Sequence, residues 1–131
     1  EKNANMKILE IFEKKGEAFF RNLEEKIIME LLNISNNVIS LGGGSFINEK
    51  IRKEVISNNI SFWLSWNTTT LLNRIKKNKK RPIAFNLNTN ELIELITKRS
   101  KIYSKAKFKI NCNKLTKNEI VMKILKLYEH N

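Results

Sequence analysis

Arginine is scarce in this lysine-rich chain, and its five occurrences are the residues best suited to selective chemistry: Arg21, Arg52, Arg74, Arg81 and Arg99. A guanidinium is a planar fork of donors that meets a carboxylate or phosphate through two bonds at once, which an ammonium cannot do. Twenty lysines already supply positive charge, so an arginine hints at a position where geometry counts. Three of the four glycines stand together as Gly42-Gly43-Gly44, closing the apolar run Val38-Ile39-Ser40-Leu41. Lacking Cβ atoms, such a run lets backbone N–H groups come close to a ligand. A strand-to-helix turn with unusual dihedrals would use glycine there too. Metal and thiol chemistry are poorly served. Every acidic residue is Glu, with no Asp; His130 is the one histidine and Cys112 the one cysteine. That excludes an internal disulfide and a zinc site of the usual kind, and it fits a reducing compartment.

The elements that must position these groups alternate between helix and strand. Ile8, Ile11 and Phe12 share one face of a short helix over 7–15, which Gly16 ends. A second helix over about 17–33 carries Phe20, Leu23, Ile27 and Leu31. The run from Asn37 to Leu41 suits a buried parallel strand. Asn48 is placed to cap a helix bearing Ile51, Val55 and Ile56, and Ile60-Ser61-Phe62-Trp63-Leu64 reads as the next strand. Asn67 or Thr68 opens a helix whose face is Leu71, Leu72 and Ile75. The stretch Lys76-Lys77-Asn78-Lys79-Lys80-Arg81-Pro82 has no apolar period and reads as an exposed loop. Asn88 with Glu91 caps a helix bearing Leu92, Leu95, Ile96, Arg99 and Tyr103, and a short strand follows from Ala106 to Ile110. Thr116-x-x-Glu119 is a capping box opening a last helix with Ile120, Ile124 and Leu127. This alternation predicts an α/β fold with a parallel sheet covered by helices on both faces. Ligands of such sheets bind beyond the carboxyl ends of the strands, where the glycine triplet falls.

A chain of 131 residues is one domain's worth. Its net charge of +12 is unevenly spread. Residues 1–65 hold nine Lys/Arg and nine Glu, whereas residues 66–131 hold sixteen Lys/Arg against four Glu. A basic half suits a polyanion, a nucleotide's phosphates or a small anionic substrate. Scattered lysines also serve simply as a solvated surface, and most of these read that way. Phe62, Trp63 and Trp66 read as strand packing before base stacking. No apolar stretch approaches the roughly 20 residues of a membrane span, and none looks like a signal peptide.

The ordered set of these features resembles shikimate kinase. Glu10-Ile11-Phe12, Gly16-Glu17, Phe20-Arg21 and Glu24 come first, then Leu41-Gly42-Gly43-Gly44-Ser45. Phe62-Trp63-Leu64, Arg74, Arg81-Pro82, and Arg99 with Tyr103 and Ala106 continue the pattern to the final helix. The resemblance implies a small P-loop kinase of the nucleoside-monophosphate-kinase-like class. Such an enzyme moves the γ-phosphoryl of ATP, with Mg²⁺, onto the 3-hydroxyl of shikimate in aromatic amino-acid biosynthesis. Arg21 and Arg99 would then clamp the substrate carboxylate, Gly43 and Gly44 would meet its hydroxyls through backbone, and Glu24 would hold Arg21 by an ion pair. Residues 1–35 or so would be the substrate-binding helices. The loop over about 75–88 would be a lid, with Arg81 on the nucleotide phosphates as a catalytic group and Arg74 against the adenine. Arginines of that kind contribute roughly 10³–10⁵ in rate. The resemblance also implies a cytoplasmic monomer acting on small molecules, with no nucleic-acid or membrane partner. Read without it, Arg21 would be a surface residue paired to Glu17 or Glu25 on its own helix.

The chain departs from the family at one end. It has no Gly-x-x-Gly-x-Gly-Lys-Ser/Thr loop and no Asp-x-Asp strand end, so the first β-α-β unit and its Mg²⁺ ligands are expected in a preceding segment. These residues alone are then expected to bind substrate weakly and to catalyse nothing. Two other readings stay open: a non-catalytic kinase-like binding module, and a small basic nucleic-acid-binding domain.

Overall fold

The computed structural model describes residues 6–77 and 87–131. The chain divides into two compact units, Glu1–Ser57 and Asn58–Asn131.

In the first unit, α1 (Ile8–Leu32) is helical on either side of Gly16, whose φ of 81° and ψ of 168° break the ladder. Glycine is the residue that adopts this left-handed region without strain, so the expected break between two helical segments is a real feature. Each segment contributes to the core, Ile11 from the first and Ile28 from the second. Phe12 and Phe20 meet across the break, tilted, with ring centroids 4.7 Å apart. The glycine triplet runs straight into a 3-10 turn, Ser45–Ile47, closed by Ser45 N–H donating to Gly42 O at 3.0 Å. Asn48 Oδ1 then accepts from the N–H groups of Lys50 at 2.9 Å and Ile51 at 3.1 Å. That cap opens α2 (Glu49–Asn58), which buries Ile51 and Val55.

One expected strand does not form. Residues 37–41 form no regular element, and Val38 is fully exposed. A strand exists only beside a partner, and among the described residues no other strand lies along this one. Apolar composition could not reveal that.

In the second unit, β1 (Phe62–Ser65) and β2 (Phe108–Asn111) pair in parallel, with Phe62 opposite Phe108 and Leu64 opposite Ile110. Parallel neighbours need a long crossover. Here it contains α3 (Thr68–Lys77) and α4 (Thr89–Tyr103), which pack on each other. The final helix, α5 (Lys117–Glu129), packs against β2. Ile110, Cys112 and Ile120 form the buried cluster, and Phe62, Trp66, Leu115, Ile124 and Leu127 close around it. The three caps read from sequence in this unit are present. Asn67 Oδ1 accepts from Thr70 N–H, Asn88 from Glu91 N–H and Thr116 from Glu119 N–H. Asn113 Oδ1 accepts from Asn67 N–H at 2.9 Å, tying the chain just after β1 to the chain just after β2. No helix among the described residues is long and apolar enough to cross a membrane.

Candidate functional site

The first unit brings a guanidinium, a carboxylate, a hydroxyl and bare backbone into one network. Arg21 and Glu24 lie one turn apart on α1, so both side chains share a face. Arg21 Nη1 donates to Glu24 Oε2 at 2.7 Å. On its other edge Arg21 Nε lies 3.3 Å from Glu17 Oε1, one turn earlier. The second oxygen of Glu24, Oε1, accepts from Ser45 Oγ at 2.8 Å. Ser45 is 1% exposed, so its hydroxyl has to be satisfied inside the protein, and Glu24 satisfies it.

Gly44 completes the arrangement. Its φ of −94° is ordinary, so an unusual dihedral is not the reason for glycine here. Close approach is. A Cβ on Gly44 would stand 2.6 Å from Arg21 Nη1 and 2.9 Å from Cζ, well inside contact distance. The guanidinium therefore lies directly on the main chain of the triplet. Gly42 is also confined, since a Cβ there would be 3.2 Å from Ser45 Oγ and 3.4 Å from Glu24 Oε1.

Around this centre the neighbours are fixed by separate contacts. Arg52 Nη1 donates to the carbonyls of Phe46 at 3.2 Å and Ile47 at 2.8 Å, bracing the 3-10 turn. Glu25, an expected alternative partner for Arg21, is engaged elsewhere. It takes Lys50 Nζ at 2.8 Å and Asn48 Nδ2 at 2.7 Å. The Lys50 hydrogen bond, with Asn48's beside it, holds the Glu25 carboxyl below its usual value. An open groove of about 500 Å³ runs along Asn22, Glu25, Lys26 and Met29 of α1 and Asn33 just beyond it. It is lined by none of Arg21, Glu24, Gly44 or Ser45.

The other candidate residues lie in the second unit or outside the described residues. Arg99 is half-buried on α4. Arg74, near the end of α3, stacks its guanidinium on the Trp66 ring with Cζ 3.8 Å from the centroid. Trp66 also packs against the buried cluster. Trp63 contacts Tyr103 and Lys109. Arg81 and most of the lid segment lie outside the described residues, so the geometry bears only on its ends, where Lys76 Nζ donates to Thr89 Oγ1 at 3.0 Å. Sequence reasoning named Arg21, Glu24 and the triplet but assigned no role to Ser45 or Arg52. For Ser45 the one available signal was its position directly after the triplet.

Arg21 is thus a cation held between two carboxylates over a glycine backbone. The sequence profile of shikimate kinase matches residues 1–129. The chain belongs to the shikimate kinase family. It is 37% identical to the shikimate kinase of Bartonella henselae over 99% of its own length and 62% of that protein's. It is 36% identical to that of Thermodesulfovibrio yellowstonii over 98% of this chain and 75% of the other. The solved shikimate kinase of Aquifex aeolicus superposes with a TM-score of 0.86 at 37% identity, covering 98% of this chain and 75% of that one. The Acinetobacter baumannii enzyme, solved in complex with shikimate, gives 0.88 at 27% identity, covering 99% and 74%. The parallel α/β fold of the shikimate kinases is thus the fold of this chain. The chain spans about 62% of the Bartonella henselae relative's length and 60% of the Bartonella quintana one's.

No three His, Cys, Asp or Glu side chains converge among the described residues, and the sequence has no Asp.

Proposed function

We propose that these residues form the shikimate-binding part of an ATP-dependent shikimate kinase, with the Arg21 guanidinium taking the substrate carboxylate. The observation that carries the reading is the seating of Arg21 on Gly44, with Glu24 and Glu17 on its flanks. Glu17 on Nε and Nη2 and Glu24 on Nη1 fix the fork in one orientation, and its side chain keeps 29% of its surface exposed. A carboxylated polyol needs such a fork for its acid group and close main-chain approach for its hydroxyls. Gly43 and Gly44 would supply that approach. Arg99 is proposed for the same carboxylate on the family resemblance, which also assigns Arg81 to the phosphates and Arg74 to the adenine.

ATP would supply the phosphoryl group, and the residues described here would bind and orient the acceptor. With no phosphate loop and no Asp in the sequence, the 131 residues are proposed to bind shikimate without transferring phosphate by themselves. They are proposed to act as a monomer in the cytoplasm. The test is titration of the full chain with shikimate, followed by NMR, beside the Arg21→Ala variant. Shikimate should bind, and the variant should lose most of the affinity while keeping its helical signal. Equal affinity in the two proteins would remove Arg21 from the site and the reading with it.

A further inference from the structure

Glu24 divides its two oxygens between two donors: Oε2 takes Arg21 and Oε1 takes Ser45. The second contact joins residues 21 positions apart. It is made by a hydroxyl that is almost wholly buried. A carboxylate with one donor can swing about its terminal torsions, because those wells are broad. A carboxylate with a donor on each oxygen cannot swing without breaking a bond. We infer that Ser45 is a positioning residue for shikimate binding, setting the plane of the Arg21 guanidinium through Glu24. This rests on the reading of Arg21 as the carboxylate ligand.

Three observations converge on that role. The main chain that carries Ser45 is fixed, since the 3-10 turn is closed by Ser45 N–H on Gly42 O and braced by Arg52 on the carbonyls of Phe46 and Ile47. The Ser45 hydroxyl, buried away from water, has Glu24 as its acceptor. Glu24 has only 17% of its side chain exposed, so little water is at hand to replace a lost donor. Gly44 limits the guanidinium from below, at distances that leave no room for another group. Arg21 is thus held by a floor, by Glu17 on one edge, and by a Glu24 whose own orientation depends on Ser45. Binding energy at a fork is realised only when both donors point correctly. A loose guanidinium keeps its charge and loses that alignment.

The test is a double-substitution cycle on the full chain, with Ser45→Ala, Arg21→Lys and the pair together. Hydrogen bonds to charged groups contribute enough for Ser45→Ala to weaken shikimate binding about tenfold. If Ser45 acts through Arg21, the same change should cost almost nothing once Arg21 is lysine, because no planar fork is left to orient. A ligand-free readout accompanies it. The Arg21 Nη resonances should be distinct in the parent, from hindered rotation, and should merge in Ser45→Ala at an unchanged circular dichroism spectrum. Equal losses in both backgrounds would make Ser45 a merely structural residue and overturn the inference. So would unchanged affinity, or Arg21 resonances that do not respond. Loss of affinity in Arg21→Lys with none in Ser45→Ala would sink only the positioning role. Unchanged affinity in Arg21→Lys would sink both it and the carboxylate site.

Discussion

The guanidinium of Arg21 rests on the α-carbon of Gly44, so closely that a methyl group there would come within 2.6 Å of Nη1. Gly44→Ala must therefore push Arg21 off the triplet, breaking its alignment with Glu24, while the ordinary φ of −94° lets alanine keep the turn. Shikimate affinity should fall by about tenfold or more, with little change in thermal midpoint. Calorimetric titration beside a melting curve checks both. An alanine variant that binds as tightly as the parent would mean the contact is incidental.

Arg99 carries a different expectation. Arg99→Lys keeps a cation on α4 but loses the two-pronged geometry. In a protein that includes the expected phosphate-loop segment, binding of shikimate should weaken about tenfold or more, and binding of nucleotide should stay nearly constant. Parallel titrations with the two ligands decide it. Equal weakening of both would point to a general loss of structure.

Acid should act on the first unit through Glu25. Its carboxyl lies below the ordinary value of 4.5 because Lys50 and Asn48 donate to it. A folded-state value below the unfolded one means that the ionised form favours the fold. That contribution is full above 4.5 and is lost as pH falls through the depressed value. Glu25→Gln should thus lower the denaturation midpoint at neutral pH, and the gap should close on acidification. A gap that widened in acid would reverse the assignment.

At the last helix, Thr116 Oγ1 accepts from Glu119 N–H while Glu119 Oε2 accepts from Thr116 N–H. Thr116→Ala removes the cap and should cost about 1 kcal/mol. Urea unfolding measures it, and Thr116→Ser should restore most of the loss.

Cys112 is wholly buried in the α5–β2 cluster, and burial raises its thiol pKa above the ordinary value. Reactivity requires an accessible thiolate. A disulfide reagent should label it only at the rate at which the second unit opens, speeding up with denaturant. Rapid labelling of the native protein would contradict this burial.

Reading the chain locally succeeded where the interactions are local. The caps at Asn48, Asn67, Asn88 and Thr116 bond to backbone two or three residues away. The Arg21–Glu17 pair, one of the two read from the helix itself, spans four residues, whereas Glu24 as a partner came from the family resemblance. The helical period places such neighbours together whatever the rest of the chain does. Residues 37–41 show the opposite case, since composition marks them as strand-like but pairing depends on a partner elsewhere.

Residue types alone, then, determined the helices and most of their caps, the break at Gly16, two of the three expected strands within two residues of their bounds, and a short roster of arginines and glycines. Tertiary structure decided which of these touch. It put Ser45 on Glu24, Gly44 beneath Arg21, Arg52 on the turn carbonyls and Arg74 on Trp66. Those contacts follow from how packed segments approach in space. Spacing along a chain sets the torsional period of one element, and only packing sets the distance between two.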